Sequence, residues 1–253
     1  MPYTLLTPLV GVQQVGFNTA IDTTANLPTG TIVTATDPFW GSAEFMYVKA
    51  SGTIQQSGVV SLAPTFDSTN NKWEIVAAEV LPTTAWGTSV GVAQIAMTNG
   101  QYGWMLISGL SPTVCTTSVA VGGRGLQLST TTATLRSVVS TTVHNMLTGV
   151  QCRATSSTSV SKMAVANSSQ TFITVNDASG WFPGCVLTGS GMATSVAISS
   201  IDSDNRTVRL TLATSGAVNN SVAAHYNNST FFYNVLQLSR PVVIGASLGP
   251  ITT

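Results

Sequence analysis

Charged side chains are scarce in this chain, since Asp, Glu, Lys and Arg together make up only 7% of its 253 residues. An ordinary soluble domain carries roughly 25% of these residues. Nine basic residues balance nine acidic ones, so the net charge is zero. Because net charge keeps free molecules apart in solution, such a surface suits a protein that neighbouring subunits cover. The composition therefore favours a structural protein that works inside an assembly.

Other absences exclude whole classes of partner. No cluster of Lys and Arg could neutralise several phosphates, which excludes nucleic acid as a partner. Thr, Ser, Gly or Asn interrupt the apolar runs well before the ~20 residues of a bilayer-spanning helix, which excludes the membrane. The first ten residues have neither a basic segment nor an unbroken apolar core, so we expect no secretory signal and synthesis in the cytoplasm.

Histidine is nearly missing, which limits catalysis. His144 and His225 fall in different predicted modules, and the chain has no Gly-x-Ser-x-Gly sequence for a nucleophilic serine. Carboxylates between residues 22 and 79 leave a glycosidase-type acid pair open, but their spacing gives no reason to pair any two of them. We predict that the protein is not an enzyme and needs no cofactor.

Cysteine is rare and unpaired in the sequence. Cys115, Cys152 and Cys185 form no Cys-x-x-Cys motif, and their odd number argues against a disulfide framework or a zinc site. Residues 202–206 contain two aspartates but lack the Gly and the bidentate Glu of a calcium loop. We predict buried, reduced thiols and no bound metal.

What the chain does have is the pattern of a β-protein. Short runs rich in Val, Ile, Thr and aromatic residues alternate with Gly, Pro, Asn and Ser about every ten residues. Asn99-Gly100 and Asn70-Asn71 predict tight turns between strands. The predicted strands are 30–35, 43–50, 59–62, 73–80, 90–97, 102–108, 117–121, 126–128, 171–175, 186–188, 195–201, 207–212, 231–238 and 242–246.

These strands predict an all-β fold of two sandwich- or barrel-like modules behind an extended N-terminal arm. The arm covers residues 1–20, the first module residues 21–165 and the second residues 166–253. An alternative division makes residues 166–226 an insertion and returns residues 230–253 to the first module.

The arm is apolar without helical or strand periodicity. It could dock on a neighbouring subunit or tuck against its own domain, and its apolar side chains would be unsuited to a solvated tail. In the first case, deleting residues 1–18 would release the protein from its assembly without unfolding it. The residues predicted to contact the assembly are Leu5, Leu6, Leu9, Val10, Phe17, Trp40 and Trp86.

Aromatic residues raise a second possibility. Aromatic rings stack on the apolar faces of sugars, yet the same rings are what a β core needs. The candidates for a glycan surface are Trp40, Trp73, Trp86, Tyr102, Trp104 and Trp181.

Two stretches resemble proteins of tailed-bacteriophage virions. Residues 44–54, with Ala50-Ser51-Gly52, residues 58–60, and the later Asn99-Gly100-Gln101-Tyr102-Gly103-Trp104 with Gly109 resemble capsid decoration (cement) proteins. Residues 175–192, 196–201 and 207–212 are similar to a small β-module that recurs in phage head and tail proteins. Residues 238–243 resemble a closing strand of the first module.

The resemblance implies a structural role on a virion. It implies a decoration protein on the outer surface of the capsid, made in the host cytoplasm, with the major capsid protein and itself, as a homotrimer, for partners. The alternative is a tail fibre or spike subunit that binds host surface glycans.

Overall fold

A computed structural model describes residues 3–37, 39–80, 84, 87–115, 126–128, 134–137, 146–154, 158–202, 204–226 and 232–244. These residues form two sheets, and the prediction of an all-β fold is confirmed. The strands of the first sheet are β1 (Thr4–Leu5), β2 (Ile32–Asp37), β3 (Gly41–Ala50), β4 (Val59–Asp67), β5 (Lys72–Glu79), β6 (Ser89–Ala93), β7 (Tyr102–Cys115), β8 (Leu126–Leu128), β9 (Leu135–Ser137), β10 (Met146–Ala154) and β17 (Phe232–Ile244). The strands of the second sheet are β11 (Ser159–Ala166), β12 (Phe172–Val175), β13 (Val186–Thr188), β14 (Ile198–Ile201), β15 (Thr207–Leu210) and β16 (Val218–His225).

The first sheet has the strand order β1-β2-β3-β5-β4-β6-β17-β10-β8-β9-β7, and β7 pairs in addition with β3, β6 and β17. Most pairs are antiparallel, whereas β3–β5 and β7–β9 are parallel. The long strand β7 therefore folds the sheet back on itself, and its first half pairs with β3 while its second half pairs with β17. Side chains on the enclosed face form the core, since alternate residues of a strand point to one side.

Both predicted turns are present. Gly100 has a φ of 84° and Asn71 a φ of 50°, values that Gly and Asn adopt more readily than other residues. Asn70 and Asn71 join β4 to β5. The strand predicted over residues 90–97 is shorter in the structure. β6 ends at Ala93, and Met97 forms an isolated β-bridge with Ile54. The predicted strand 117–121 lies outside the described residues.

The N-terminal segment lies against its own domain. β1 pairs with β2 through Leu5 and Ala35, and Tyr3 and Phe17 are fully buried. Both rings pack edge-on against Phe45, with ring centroids 4.9 Å and 5.2 Å away. Of the two possibilities that the sequence leaves open, the structure has the segment tucked against its own domain. Burying these apolar side chains inside the chain keeps them from water without a partner.

The second sheet begins before residue 166, where the sequence predicted a boundary between modules. β11 belongs to the second sheet and pairs with β16 from Ser159 onward, whereas β17 belongs to the first sheet. Residues 159–225 thus lie, in sequence, between two strands that pair with each other, β10 and β17. The strand order of the second sheet is β13-β16-β11-β12-β15-β14, and a bridge between Val186 and Ala197 brings its two edges together.

An aromatic cluster joins the two sheets. The ring of Phe182 lies 6.5 Å from Trp40, 4.8 Å from Tyr226 and 5.4 Å from Tyr233, centroid to centroid. The Tyr226 hydroxyl donates a 2.7 Å hydrogen bond to the carbonyl of Gly180. Tilted and edge-on rings are the favourable arrangement for aromatic pairs. This junction explains why Trp40, predicted as a contact residue, is buried.

Candidate interaction surface

Every carboxylate of the chain accepts a hydrogen bond from the chain itself. There are nine Asp and Glu residues, and all nine have such a donor. The donors are Tyr47 for Asp22, the Phe39 and Trp40 amides for Asp37, Arg240 for Glu44, Asn70 for Asp67, Lys49 for Glu74, the Gln55 amide for Glu79, Ser179 for Asp177, Arg209 for Asp202, and Thr207 for Asp204. The acidic side chains therefore all have a hydrogen-bond partner within the chain.

Hydrogen bonds stabilise the ionised form of Asp67, Glu74 and Asp204. The Asn70 side chain holds the pKa of Asp67 below its usual value, and the Thr207 and Arg206 amides do the same for Asp204. Burial raises the pKa of Glu74, but hydrogen bonds from Lys49 and Lys72 outweigh it, and the net shift is downward. The six carboxylates between residues 22 and 79 are thus held in place by neighbours.

Histidine and cysteine occupy structural positions among the described residues. His225 lies on β16, with its Nε2 2.8 Å from the Thr188 hydroxyl, and His144 lies outside the described residues. All three cysteines are buried, and burial raises the pKa of Cys115 to about 12. Within the described ranges, no three His, Cys, Asp or Glu side chains cluster as metal ligands would.

The seven predicted contact residues differ in how deeply they are buried. Leu5, Phe17 and Trp40 are buried in the core of the chain, which removes them from the contact set. Leu6 and Val10 are exposed, and Leu9 packs partly against the core. Trp86 lies outside the described residues. The contact roles of Leu6, Leu9, Val10 and Trp86 stay predictions.

Most of the aromatic residues predicted to form a glycan surface are buried. Trp40, Tyr102, Trp104 and Trp181 are all buried. Trp86 lies outside the described residues, and among the described candidates Trp73 is the exception, with 70% of its surface exposed. Its neighbour is Phe66, 47% exposed, directly opposite on the adjacent strand, and the two ring centroids lie 5.5 Å apart.

Phe66 was missed because the predicted strand stopped at residue 62. In the structure β4 continues to Asp67 and pairs with β5 along its whole length. A two-residue turn at Asn70-Asn71 would have placed Ser68 across from Trp73. The four residues 68–71 join the strands instead, which brings Phe66 opposite Trp73.

Both aromatic residues lie on a hairpin that extends beyond its neighbours. β4 pairs with β6 only as far as Leu62, and β5 pairs with β3 only from Val76 onward. Residues 63–75 therefore project from the sheet as a two-stranded unit. We define this unit, residues 63–75, as the aromatic hairpin.

A polar cleft of about 450 Å³ lies beside the opposite face of the aromatic hairpin. Glu74, 4% exposed, is held there by Lys49 at 2.7 Å and Lys72 at 2.9 Å. The Glu74 hydrogen bond raises the pKa of Lys49, whose ammonium group also lies 5.7 Å from the centre of the Tyr102 ring. The cleft is lined by Lys49, Ala50, Ser51, Thr65, Asp67, Thr69, Asn70, Glu74, Val76 and Asn99.

A second exposed apolar patch lies on the second sheet. Met163 and Val165 on β11 are each 57% exposed, and Phe172 on β12 is 40% exposed. Alternate residues of the same strands, Ala164 and Val175, point into the core. The outer face of this sheet is thus apolar at several positions.

Among the described residues, no helix has the length and apolar character that crossing a membrane requires. The chain was also compared with known proteins. No protein-family model, no curated protein and no solved structure matches it. The features that bear on function are therefore the chain's own: internally paired carboxylates, a projecting aromatic hairpin and an apolar outer sheet face.

Proposed function

We propose that this chain is a virion structural protein, a decoration protein that binds the major capsid protein lattice from outside and stabilises the DNA-filled head. The observation that carries the proposal is the internal pairing of all nine carboxylates. Because charged residues are few and the carboxylates already have hydrogen-bond partners within the chain, such a surface can be covered at a smaller desolvation cost than an ordinary charged one. The resemblance of residues 44–54 and 99–109 to capsid decoration proteins supports the same role.

The mechanism is mechanical rather than catalytic. Packed DNA pushes the shell outward, and a protein that bridges neighbouring capsid subunits opposes their separation. Each contact can be weak, because attachment at several points raises the effective concentration of the remaining contacts. A homotrimer would match the local threefold positions of an icosahedral lattice, and closed symmetry is the norm for such assemblies.

A tail fibre or spike subunit that binds host glycans is the second candidate. One observation favours it, the exposure of Trp73 beside Phe66, because a sugar could stack on such rings. The other described candidates for stacking are buried, so this surface would consist of one aromatic pair.

A density map of the intact virion separates the two candidates. We expect density for this chain over the whole outer surface of the head, grouped in threes where three capsid subunits meet. Virions that lack the chain provide the control, and the density should vanish from their heads. Density confined to the tail would overturn the proposal in favour of the fibre.

A further inference from the structure

We propose that Phe66 and Trp73 of the aromatic hairpin form the anchor by which the chain binds its lattice, inserting into an uncharged apolar pocket of a capsid subunit. The identity of the partner rests on the proposed function. The chemistry of the anchor is inferred from the geometry of the hairpin.

The exposed rings lie at the solvent end of a strand face that is buried further along. Residues 73, 75 and 77 share one face of β5 by alternation. Ala77 is fully buried on this face and Ile75 packs partly against the same core, whereas Trp73 is 70% exposed. Glu74 points to the other face, where it is 4% exposed and paired with Lys49. The apolar face of the sheet therefore continues beyond its own core, and a partner that covers its end would bury the rings.

The face of the hairpin that carries the rings is apolar along its length. Pro64 pairs with Ile75 directly below Phe66 and Trp73, and alternation places all four side chains on one face. The three charged residues of the hairpin, namely Asp67, Lys72 and Glu74, fall on the other face by the same rule. The partner surface should therefore be apolar and uncharged.

The tip of the hairpin holds the rings in a fixed position. Asp67 accepts hydrogen bonds from the Thr69 amide at 3.0 Å, the Asn70 amide at 3.2 Å and the Asn70 side chain at 2.8 Å. At the other end, the Ile75 amide donates a 2.8 Å hydrogen bond to the Thr29 hydroxyl. A rigid anchor loses little conformational entropy on binding, which leaves more of the contact energy for affinity.

The distribution of polar groups favours a protein over a sugar. A sugar site needs hydrogen-bonding side chains placed around the stacking ring. In this hairpin the carboxylates of Asp67 and Glu74 lie on the face away from the rings and already accept hydrogen bonds within the chain. The rings are thus offered without polar groups beside them, as in the apolar centre of a protein interface.

The size of the anchor favours a lattice over a single second copy. Two aromatic side chains bury on the order of 300–500 Å², whereas a stable interface between two proteins buries about 800 Å² on each partner. One pair of rings is therefore too small to hold two free molecules together. A repeated lattice overcomes this limit, because the several copies of an oligomer attach at the same time.

The test is binding of the full-length chain to phage heads assembled without it, measured by co-sedimentation. We expect Trp73→Ala to weaken binding by at least about 10-fold and Phe66→Ala by less, since Trp dominates interface anchors. Leu212→Ala, at a residue 51% exposed and outside both exposed apolar patches, is the matched control and should bind like the native chain. All three variants should keep the native melting temperature to within a few degrees, because the replaced side chains are exposed.

The outcomes separate the two proposals. If the native chain does not bind heads, the proposed function fails, and the capsid as partner fails with it. If the native chain binds and Trp73→Ala binds equally well, the aromatic anchor is wrong while the proposed function stands. Binding to immobilised dextran or lipopolysaccharide that is lost in Trp73→Ala would overturn the anchor in favour of a glycan site.

Discussion

Replacing Phe17 by alanine should lower the free energy of unfolding by about 3–5 kcal/mol, the cost of emptying a large aromatic site in a core. Phe17 is fully buried and packs edge-on against both Phe45 and Trp104, with ring centroids 5.2 Å away in each case. The whole stability of a domain is about 5–15 kcal/mol. The loss should be visible in urea-induced unfolding followed by tryptophan fluorescence.

Val10→Ala is the matched control for Phe17→Ala, because Val10 lies in the same segment and is 97% exposed. Its effect should stay within about 0.5 kcal/mol. Equal stability of the native chain and Phe17→Ala would contradict the tucked N-terminal segment and favour its docking on a neighbouring subunit. For the same reason, deleting residues 1–18 should destabilise the fold, contrary to the expectation from the sequence.

Gly184→Ala should weaken the junction between the two sheets. Gly184 has a φ of 99°, where a residue with a side chain is strained by about 1–3 kcal/mol. A Cβ at this position would also lie 2.7 Å from Cζ of Tyr233, a buried ring that packs on Phe182. Displacing that ring adds about 1–3 kcal/mol of overpacking. The melting temperature, measured by calorimetry, should fall by several degrees.

Gly52→Ala is the control that tests whether the lower melting temperature of Gly184→Ala comes from the junction between the sheets. A Cβ at Gly52 would have no atom within 4 Å, so this substitution should leave the melting temperature almost unchanged. If Gly184→Ala behaves like Gly52→Ala, the close approach of Gly184 to Tyr233 is absent in solution and the described junction is wrong.

The sequence predicts strands and turns well here because their signals are local. The Asn70-Asn71 turn and the alternation in β12, where Ile173 and Val175 are buried, depend only on neighbouring residues. The destination of the N-terminal segment is not local. Its apolar side chains would look the same whether they were buried in their own domain or in a neighbouring subunit.

The candidate surface was harder to predict than the fold. The carboxylate of Glu44 is paired with Arg240, 196 residues away in sequence, so its engagement depends on the closing of the first sheet by β17. The exposure of Trp73 also runs against expectation, since aromatic residues in strands usually fill the core. Its exposure depends on where the neighbouring strand ends, because β3 pairs with β5 only from Val76 onward and leaves Trp73 beyond the core that buries Ala77 on the same face.

The most direct test of the whole account is the salt dependence of binding between the native chain and phage heads that lack it. Raising NaCl from about 50 mM to about 500 mM shortens the distance over which exposed charges interact. Because the chain has few charged residues and no net charge, and the proposed anchor is uncharged, affinity should change by less than about 3-fold across this range. Binding that weakens by roughly 10-fold or more over the same range would mean that free charges hold the chain to the shell, and would contradict the account.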